Sequence, residues 1–241
     1  IELDVRLPNP RISKISKEII EPGKSVTMAY QAVGMLGTNK GIVELTSMPS
    51  INLADRLEYL IQYPHGCIEQ ITSSVYPQLY LKNLMDLLPD DQQRIDKNIK
   101  AAINRLRSFQ QTNGGMSYWP GETDYISDWG TCYAGHFFLE AQKAGYNLPV
   151  GFLNSWINYQ TDQANNFSSR STGDPYYYDN NYLIQAYRLY TLALADKPAI
   201  GAMNRLKEIK NLPTAASWRL AAAYYLAGRD AVATDMITNL T

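Results

Sequence analysis

The chain has 241 residues, 45% of them apolar, and carries 22 Lys and Arg against 23 Asp and Glu. That is enough apolar chain for one large domain, or for one domain and part of another. The two signs of charge are mixed and form no basic block, which points away from nucleic acid. No apolar stretch approaches the length a bilayer span requires. No signal peptide or lipidation motif opens the chain. It begins in what reads as a strand, Ile1-Glu2-Leu3-Asp4, and stops at Leu240-Thr241 just after a helical pattern. It therefore reads as a piece of a longer protein, and a missing targeting signal says little about compartment.

Residues 1–50 read as a β-rich segment. After the turn Glu21-Pro22-Gly23-Lys24, Ser25 to Val33 fits a strand, and Gly41 to Met48 alternates apolar with polar side chains. Pro49 and Ser50 close this region, and composition shifts there, so a second domain is expected over 51–241. Asn52 caps a helix with Asp55 at its third position, Leu53, Leu57, Leu60 and Ile61 line one face, and Pro64 stops it. A second helix starts near Gly66 or Cys67, with Ile68, Ile71, Val75 and Leu79 on one side. A third runs from about Gln92, with Ile95, Ile99, Ala102, Leu106 and Phe109 inward, and Asn113-Gly114-Gly115 ends it. Further helices fit 128–144, 149–162, 179–195, 199–209, 214–227 and 229–239, with Gly and Pro between them. Helices of this length on short connections stack as antiparallel neighbours, and no strand is expected after residue 51. The stretch from Gln110 through Gly114-Gly115 to Trp119 looks like the Gln…Gly-Gly-aromatic repeat of α/α-toroid proteins.

Two cysteines are present, and sequence alone does not show whether they pair in a disulfide. Cys132, within Trp129 to Ala134, reads as a small buried apolar residue. Cys67 lies in Tyr63-Pro64-His65-Gly66-Cys67-Ile68-Glu69-Gln70. Pro64 and Gly66 make a turn, and a helix follows at once, so Cys67 sits in the first helical turn, where the macrodipole favours a thiolate. Gln70 is three residues on and shares its face. A thiolate there is positioned to attack the Gln70 carboxamide, expel ammonia and close a thiolactone. That ring holds an acyl group on a good leaving group, ready for an incoming amine or hydroxyl. Glu69 is a candidate to shuttle a proton or fix the loop. The spacing alone fits better a helix start with a half-buried cysteine, since Cys-x-x-Gln often occurs by chance.

The longer string from Leu57 to Tyr80 closely resembles the thioester region of bacterial alpha-2-macroglobulins, relatives of the animal macroglobulins and complement thioester proteins. Leu106 to Trp119 and Ala144 to Pro149 look like the helices that follow the thioester there, and the resemblance runs from about residue 41 onward. Ile68 stands where animal members commonly have Gly. The resemblance implies a mainly α fold: an α/α toroid of helical hairpins, inserted into a β-sandwich to which residues 1–50 would belong. It also implies that the toroid continues past residue 241. The function implied is a protease inhibitor, not an enzyme, with no cofactor and no metal. A protease cuts a bait segment elsewhere in the parent chain, the Cys67–Gln70 thioester is exposed, and a lysine amine of the protease attacks it. The partners implied are proteases and the rest of the parent chain, in a periplasmic or cell-surface setting.

Hydroxyl-preferring complement members pass the acyl group through a histidine on the order of a hundred residues after the cysteine. No histidine follows His136 here, and the aligned stretch 167–178 ends in Tyr176-Tyr177-Tyr178, so the resemblance implies direct attack by amines. His65, Gly66 and Tyr63 read as support of the thioester loop, His136 as a satisfied helix residue, and Tyr176, Tyr177 and Tyr178 as candidates for an aromatic shield against water, with plain loop and core packing as the alternative. Two other functions are alternatives. A covalent adhesin or opsonin would use the same thioester on other targets, and target identity rather than sequence separates it from a protease trap. A toroid enzyme would need metal-binding Asp clusters or His/Cys ligand sets, and the sequence has neither.

Overall fold

The computed structural model describes residues 12–41, 43, 45, 59–84, 87–168, 175–238 and 240, with backbone only over 175–179. The chain divides into two compact units, Ile1–Ile51 and Asn52–Thr241. In the first unit the turn at 21–24 forms, closed by Lys24 N donating to Glu21 O at 3.0 Å. The strand expected over 25–33 does not form among the described residues. The bonds described around it are local: Asn39 Oδ1 accepts from Val33 N at 2.9 Å, and Met35 O accepts from Thr38 and Asn39. A strand is stable only when its amides and carbonyls meet a neighbour's, and the exposed backbone here meets none. Most of the second expected strand, and the helix expected from Asn52, fall outside the described residues.

The second unit is helical: α1 Ile68–Val75, α2 Leu81–Leu84, α3 Pro89–Leu106, α4 Asp128–Lys143, α5 Phe152–Asn166, α6 Pro175–Leu194, α7 Ile200–Lys207, α8 Thr214–Leu226 and α9 Asp230–Thr238. The described residues hold no sheet, only an isolated bridge between Gln110 and Met116. This is the α/α toroid read from the sequence. α1 is shorter than expected because Pro77, lacking an amide hydrogen, converts its continuation into a 3₁₀ turn at Pro77–Leu79. α3 starts earlier than expected, with Pro89 in its first turn followed by Asp90 and Asp91, which complement the helix dipole.

Two apolar cores fill the unit. One joins α1, α3 and α4 through Ile68, Ile71, Ile99, Leu106, Phe137 and Phe138. The other joins α6, α7 and α8 through Leu189, Leu192, Met203, Leu206 and Leu220. The crossing of α4 and α5 depends on a bare backbone. A Cβ on Gly135 would lie 2.1 Å from the Trp156 ring, whose Nε1 donates to Thr131 O at 2.8 Å. The Gln-Gly-Gly repeat also has a packing reason. Gln110 Nε2 donates to Phe152 O at 3.0 Å, and a Cβ on Gly114 would meet Ser155 O at 2.0 Å. The repeat thus ties the exit of α3 to the start of α5.

A buried polar network links α4, α5 and α6. Arg188 is 4% exposed and donates to Asp128, Gln160 and Gln185 at 2.7, 3.1 and 2.7 Å. Gln160 Nε2 in turn donates to Cys132 Sγ at 3.2 Å. Cys132 is fully buried and unpaired by disulfide, and burial raises its thiol pKa. It is thus a packing residue as expected, with one polar contact that apolar packing alone would not require.

Beside this network lies an aromatic cluster around His136, whose ring packs on Tyr76, Tyr187 and Tyr190. His136 Nδ1 is 3.0 Å from the Tyr187 hydroxyl. Burial, reinforced by Arg219 and Lys143 against an opposing pull from Glu140, lowers its pKa from 6.5 to about 4. Folded His136 therefore stays neutral while the unfolded chain takes up a proton below pH 6.5. Its contribution is full above that pH, falls as pH drops, and levels off below about 4, a loss of about 3 kcal/mol at most. Urea denaturation at pH 7 and pH 4 should show this loss in wild type relative to a His136→Leu variant. Equal pH dependence in the two, or a ring titration near 6.5 by NMR, would contradict it.

Candidate functional site

The site begins where an extended segment meets α1. Ile61 and Pro64 are buried and pin residues 61–66 to the unit, while Tyr63 and His65 point outward. The carbonyl of Gln62 accepts from Gln78 Nε2 at 2.9 Å, and the same nitrogen donates to Ser74 O at 2.8 Å. Asn98 Nδ2 completes the clamp by donating to Gln78 Oε1 at 3.1 Å. Gln78 is only 2% exposed, so α3 and the turn after α1 together fix the segment that leads into Cys67.

The chain then turns at Gly66, with φ at +106°, a value that side-chain-bearing residues rarely adopt. Cys67 is not inside the first helical turn but caps it. Its backbone is extended (φ −76°, ψ 173°) and its carbonyl accepts from Ile71 N at 3.0 Å. Gln70 occupies the third helical position and reaches back, so that Cys67 N donates to Gln70 Oε1 at 3.1 Å. The two side chains form a reciprocal capping box. In most proteins Ser or Thr with Glu or Gln makes this arrangement; here Cys and Gln make it. Capping, rather than stacking along one helix face, ties each of the two side chains to the other residue's backbone.

Burial differs between the two partners. Cys67 is 3% exposed, whereas Gln70 is exposed and Glu69 half-buried. The sulphur is therefore anchored while the carboxamide faces outward. Gly66 makes room for this: a Cβ there would lie 2.0 Å from Gln70 Oε1 and 2.9 Å from its Cδ. α1 is held by Ile68, fully buried, whose side chain fills the space over Gly130 of α4. Ile68 N donates to Tyr118 O at 3.2 Å, which brings a loop distant in sequence against the helix start. Cys67, and then Glu69, raise the pKa of the Tyr118 phenol to about 12.

The residues singled out from sequence are thus distributed as follows. Cys67, Gln70, Glu69, Gly66, His65 and Tyr63 lie within one turn and one helix start. His65 is exposed, with Nδ1 3.0 Å from Tyr63 O. His136 is engaged in the aromatic cluster on α4. The side chains of Tyr176, Tyr177 and Tyr178 lie outside the described residues; only their place on α6 is given. Sequence reasoning missed Tyr118, Gln78 and Asn98. Nothing local marks Tyr118. Gly130, in the first turn of α4, marks where Ile68 approaches closely, since a Cβ there would lie 2.7 Å from the Ile68 side chain.

Comparison with known proteins places this geometry in a class. The model of the A-macroglobulin TED domain matches residues 41–172, and the chain belongs to that family. The alpha-2-macroglobulin of Escherichia coli K12 is 28% identical over 208 residues, covering 78% of this chain and 12% of the relative. That of Xylella fastidiosa Temecula1 is 27% identical over 177 residues, covering 68% of this chain and 10% of the relative. The chain therefore spans about an eighth of the curated relatives' length or less. The solved native E. coli alpha-2-macroglobulin, from domain MG7 to the C-terminus, superposes with a TM-score of 0.63 at 25% identity, over 78% of this chain and 30% of that one. Salmonella alpha-2-macroglobulin reacted with methylamine superposes with a TM-score of 0.66 at 25% identity, over 78% of this chain and 13% of that one.

The turn at Gly66 gives a direct test of the site's construction. Gly66→Ala adds both a strained φ and a clash with the Gln70 carboxamide. It should cost about 1–3 kcal/mol in thermal or urea unfolding. Unchanged stability would show that the turn does not depend on glycine.

Proposed function

We propose that Cys67 and Gln70 form an internal β-cysteinyl-γ-glutamyl thioester that couples this protein covalently to attacking proteases. The observation that carries this reading is the reciprocal cap, with Cys67 N 3.1 Å from Gln70 Oε1 and the buried sulphur on the other side of the same box. In formation, the Cys67 thiolate attacks Gln70 Cδ, a C–S bond forms, the C–N bond breaks and ammonia leaves with the added proton. In use, an amine adds to the same carbon and the C–S bond breaks. Its nitrogen becomes an amide, and the proton it sheds ends on sulphur. Both steps place negative charge on Oε1, where the Cys67 amide already donates a hydrogen bond. A preorganised donor at that oxygen is worth most when charge develops there.

The trapped partner is a protease, held through a surface lysine amine. The E. coli relative has been solved in a trypsin-activated form, which accords with bait cleavage elsewhere in a longer parent chain as the trigger. In this reading residues 1–50 belong to the sandwich region adjoining the thioester domain, and the setting is outside the cytoplasm, at the periplasm or cell surface. No described helix is long and apolar enough to cross a membrane.

Two outcomes follow. Methylamine treatment of the native full-length protein should release one new thiol at Cys67 and convert Gln70 to its methylamide, read by peptide mass spectrometry. An unmodified Gln70 with an unchanged thiol count would contradict the proposal. Nucleophile choice is the second outcome. His65 is turned to the Tyr63 carbonyl and His136 is bound to Tyr187, so neither is placed to relay the acyl group to a hydroxyl. Competition between methylamine and glycerol after protease activation should label overwhelmingly with the amine. Equal glycerol incorporation, abolished by His65→Ala, would make His65 a catalyst.

A further inference from the structure

We infer that Gln78 is a positioning residue for the thioester, a single side chain that aims the Cys67 amide at the Gln70 carboxamide by holding the chain on both sides of them. The inference rests on the thioester reading above and adds to it the group that fixes its geometry. α1 has only eight residues, and a helix that short does not hold itself in water. Its first turn is capped by Gln70, which accepts from Cys67 N at 3.1 Å. Its last carbonyls have no partner within the helix, and Pro77, which opens the 3₁₀ turn beyond it, has no amide hydrogen to offer them.

Gln78 supplies that partner and uses the same nitrogen a second time. Its Nε2 donates to Ser74 O at 2.8 Å, in the last turn of α1, and to Gln62 O at 2.9 Å, upstream of Cys67. The two carbonyls stand on opposite sides of the Gly66 turn, so the chain from 62 to 74 is a loop closed at its base by one amide. Cys67 and Gln70 both lie within that loop. Ile61 and Pro64 are buried and set the depth of the incoming segment, but apolar contacts do not fix its rotation, whereas a hydrogen bond to the Gln62 carbonyl does. Asn98 of α3 donates to Gln78 Oε1 at 3.1 Å and gives the amide one orientation. Turned over, Gln78 would set its oxygen against two carbonyl oxygens. Gln78 is 2% and Asn98 7% exposed, so water does not stand in for these bonds when they break. Gln78 touches neither reacting group. It acts through the backbone, by keeping the Cys67 amide directed at Oε1 while an incoming amine puts negative charge there. A donor that drifts by about an ångström loses most of its effect on such a charge.

The test uses the full-length protein as wild type, Gln78→Met and Leu220→Ala. Methionine is close to glutamine in size and makes none of the three bonds. Leu220 lies in the other apolar core, and its loss lowers stability without touching the loop. Each protein is weighed for the ammonia lost on thioester closure, then reacted with methylamine below its unfolding temperature while thiol release is followed. Hydrogen exchange is read over residues 61–71. Gln78→Met should react at least about tenfold more slowly than wild type and exchange faster over 61–71. Leu220→Ala should keep the wild-type rate and the wild-type exchange there. A folded Gln78→Met protein that keeps its ammonia while Leu220→Ala loses it would support the same role at the closure step. Asn98→Asp presents only acceptors, draws the Gln78 nitrogen away from Gln62, and should slow the reaction too. It carries the comparison if Gln78→Met does not fold. A wild-type rate in either folded variant would overturn the inference, as would equal slowing in Leu220→Ala, because general stability would then set the rate. A wild-type protein with no ammonia loss would instead overturn the thioester reading, and this inference with it.

Discussion

The start of α1 is the constraint on which the rest of the site depends. A helix begins with amide groups that have no partner within the helix, and a side chain three positions on can turn back to satisfy one. Gln70 does this for Cys67. The spacing that caps the helix is also the spacing that closes a thiolactone, so one local rule serves both stability and chemistry. Glycine at 66 is required because the returning carboxamide occupies the space where its side chain would stand. Capping makes the geometry inexpensive to hold, since the proposed reacting groups are already where the helix start places them.

The fold around this point keeps the cap in register and its sulphur dry. α1 presents Ile68, Ile71 and Val75 to the core, so its exposed edge is fixed as Glu69 and Gln70. Gln78 and Asn98 hold the incoming segment, and the Tyr118 carbonyl, on a loop tied to α4 through Thr131, accepts from Ile68 N at the helix start. Further out, the Arg188 network and the aromatic cluster at His136 join α4 to α5 and α6. Buried polar groups of this kind are costly unless fully paired, and among the described residues every buried side-chain nitrogen and oxygen has a partner.

Much of this was legible in the sequence where the signal was local. Most helices after residue 128 lie where apolar periodicity and Gly or Pro punctuation put them, because both are properties of neighbouring residues. That Cys67 and Gln70 share one helix start was legible for the same reason, being three residues apart, while the chemistry proposed for them came from the resemblance of the longer string. The Pro77 break and the Pro89 start were present as signals but outweighed in the reading by the apolar spacing across them. Tyr118 and the Gln78–Asn98 clamp were not legible, since each acts through a contact between distant segments that no local pattern encodes. The early strand over 25–33 shows the opposite error. Its composition suits a strand, but composition does not supply the neighbour that a strand must bond.

The account stands or falls on a covalent bond between two named side chains. Intact-mass measurement of the native full-length protein, followed by peptide mapping without amines or reducing agents, tests it most directly. The account predicts a mass lower than the sequence by one ammonia, no alkylatable thiol at Cys67, and a Cys67–Gln70 cross-linked peptide. A full sequence mass, with a free Cys67 thiol beside an unmodified Gln70 amide, would contradict it.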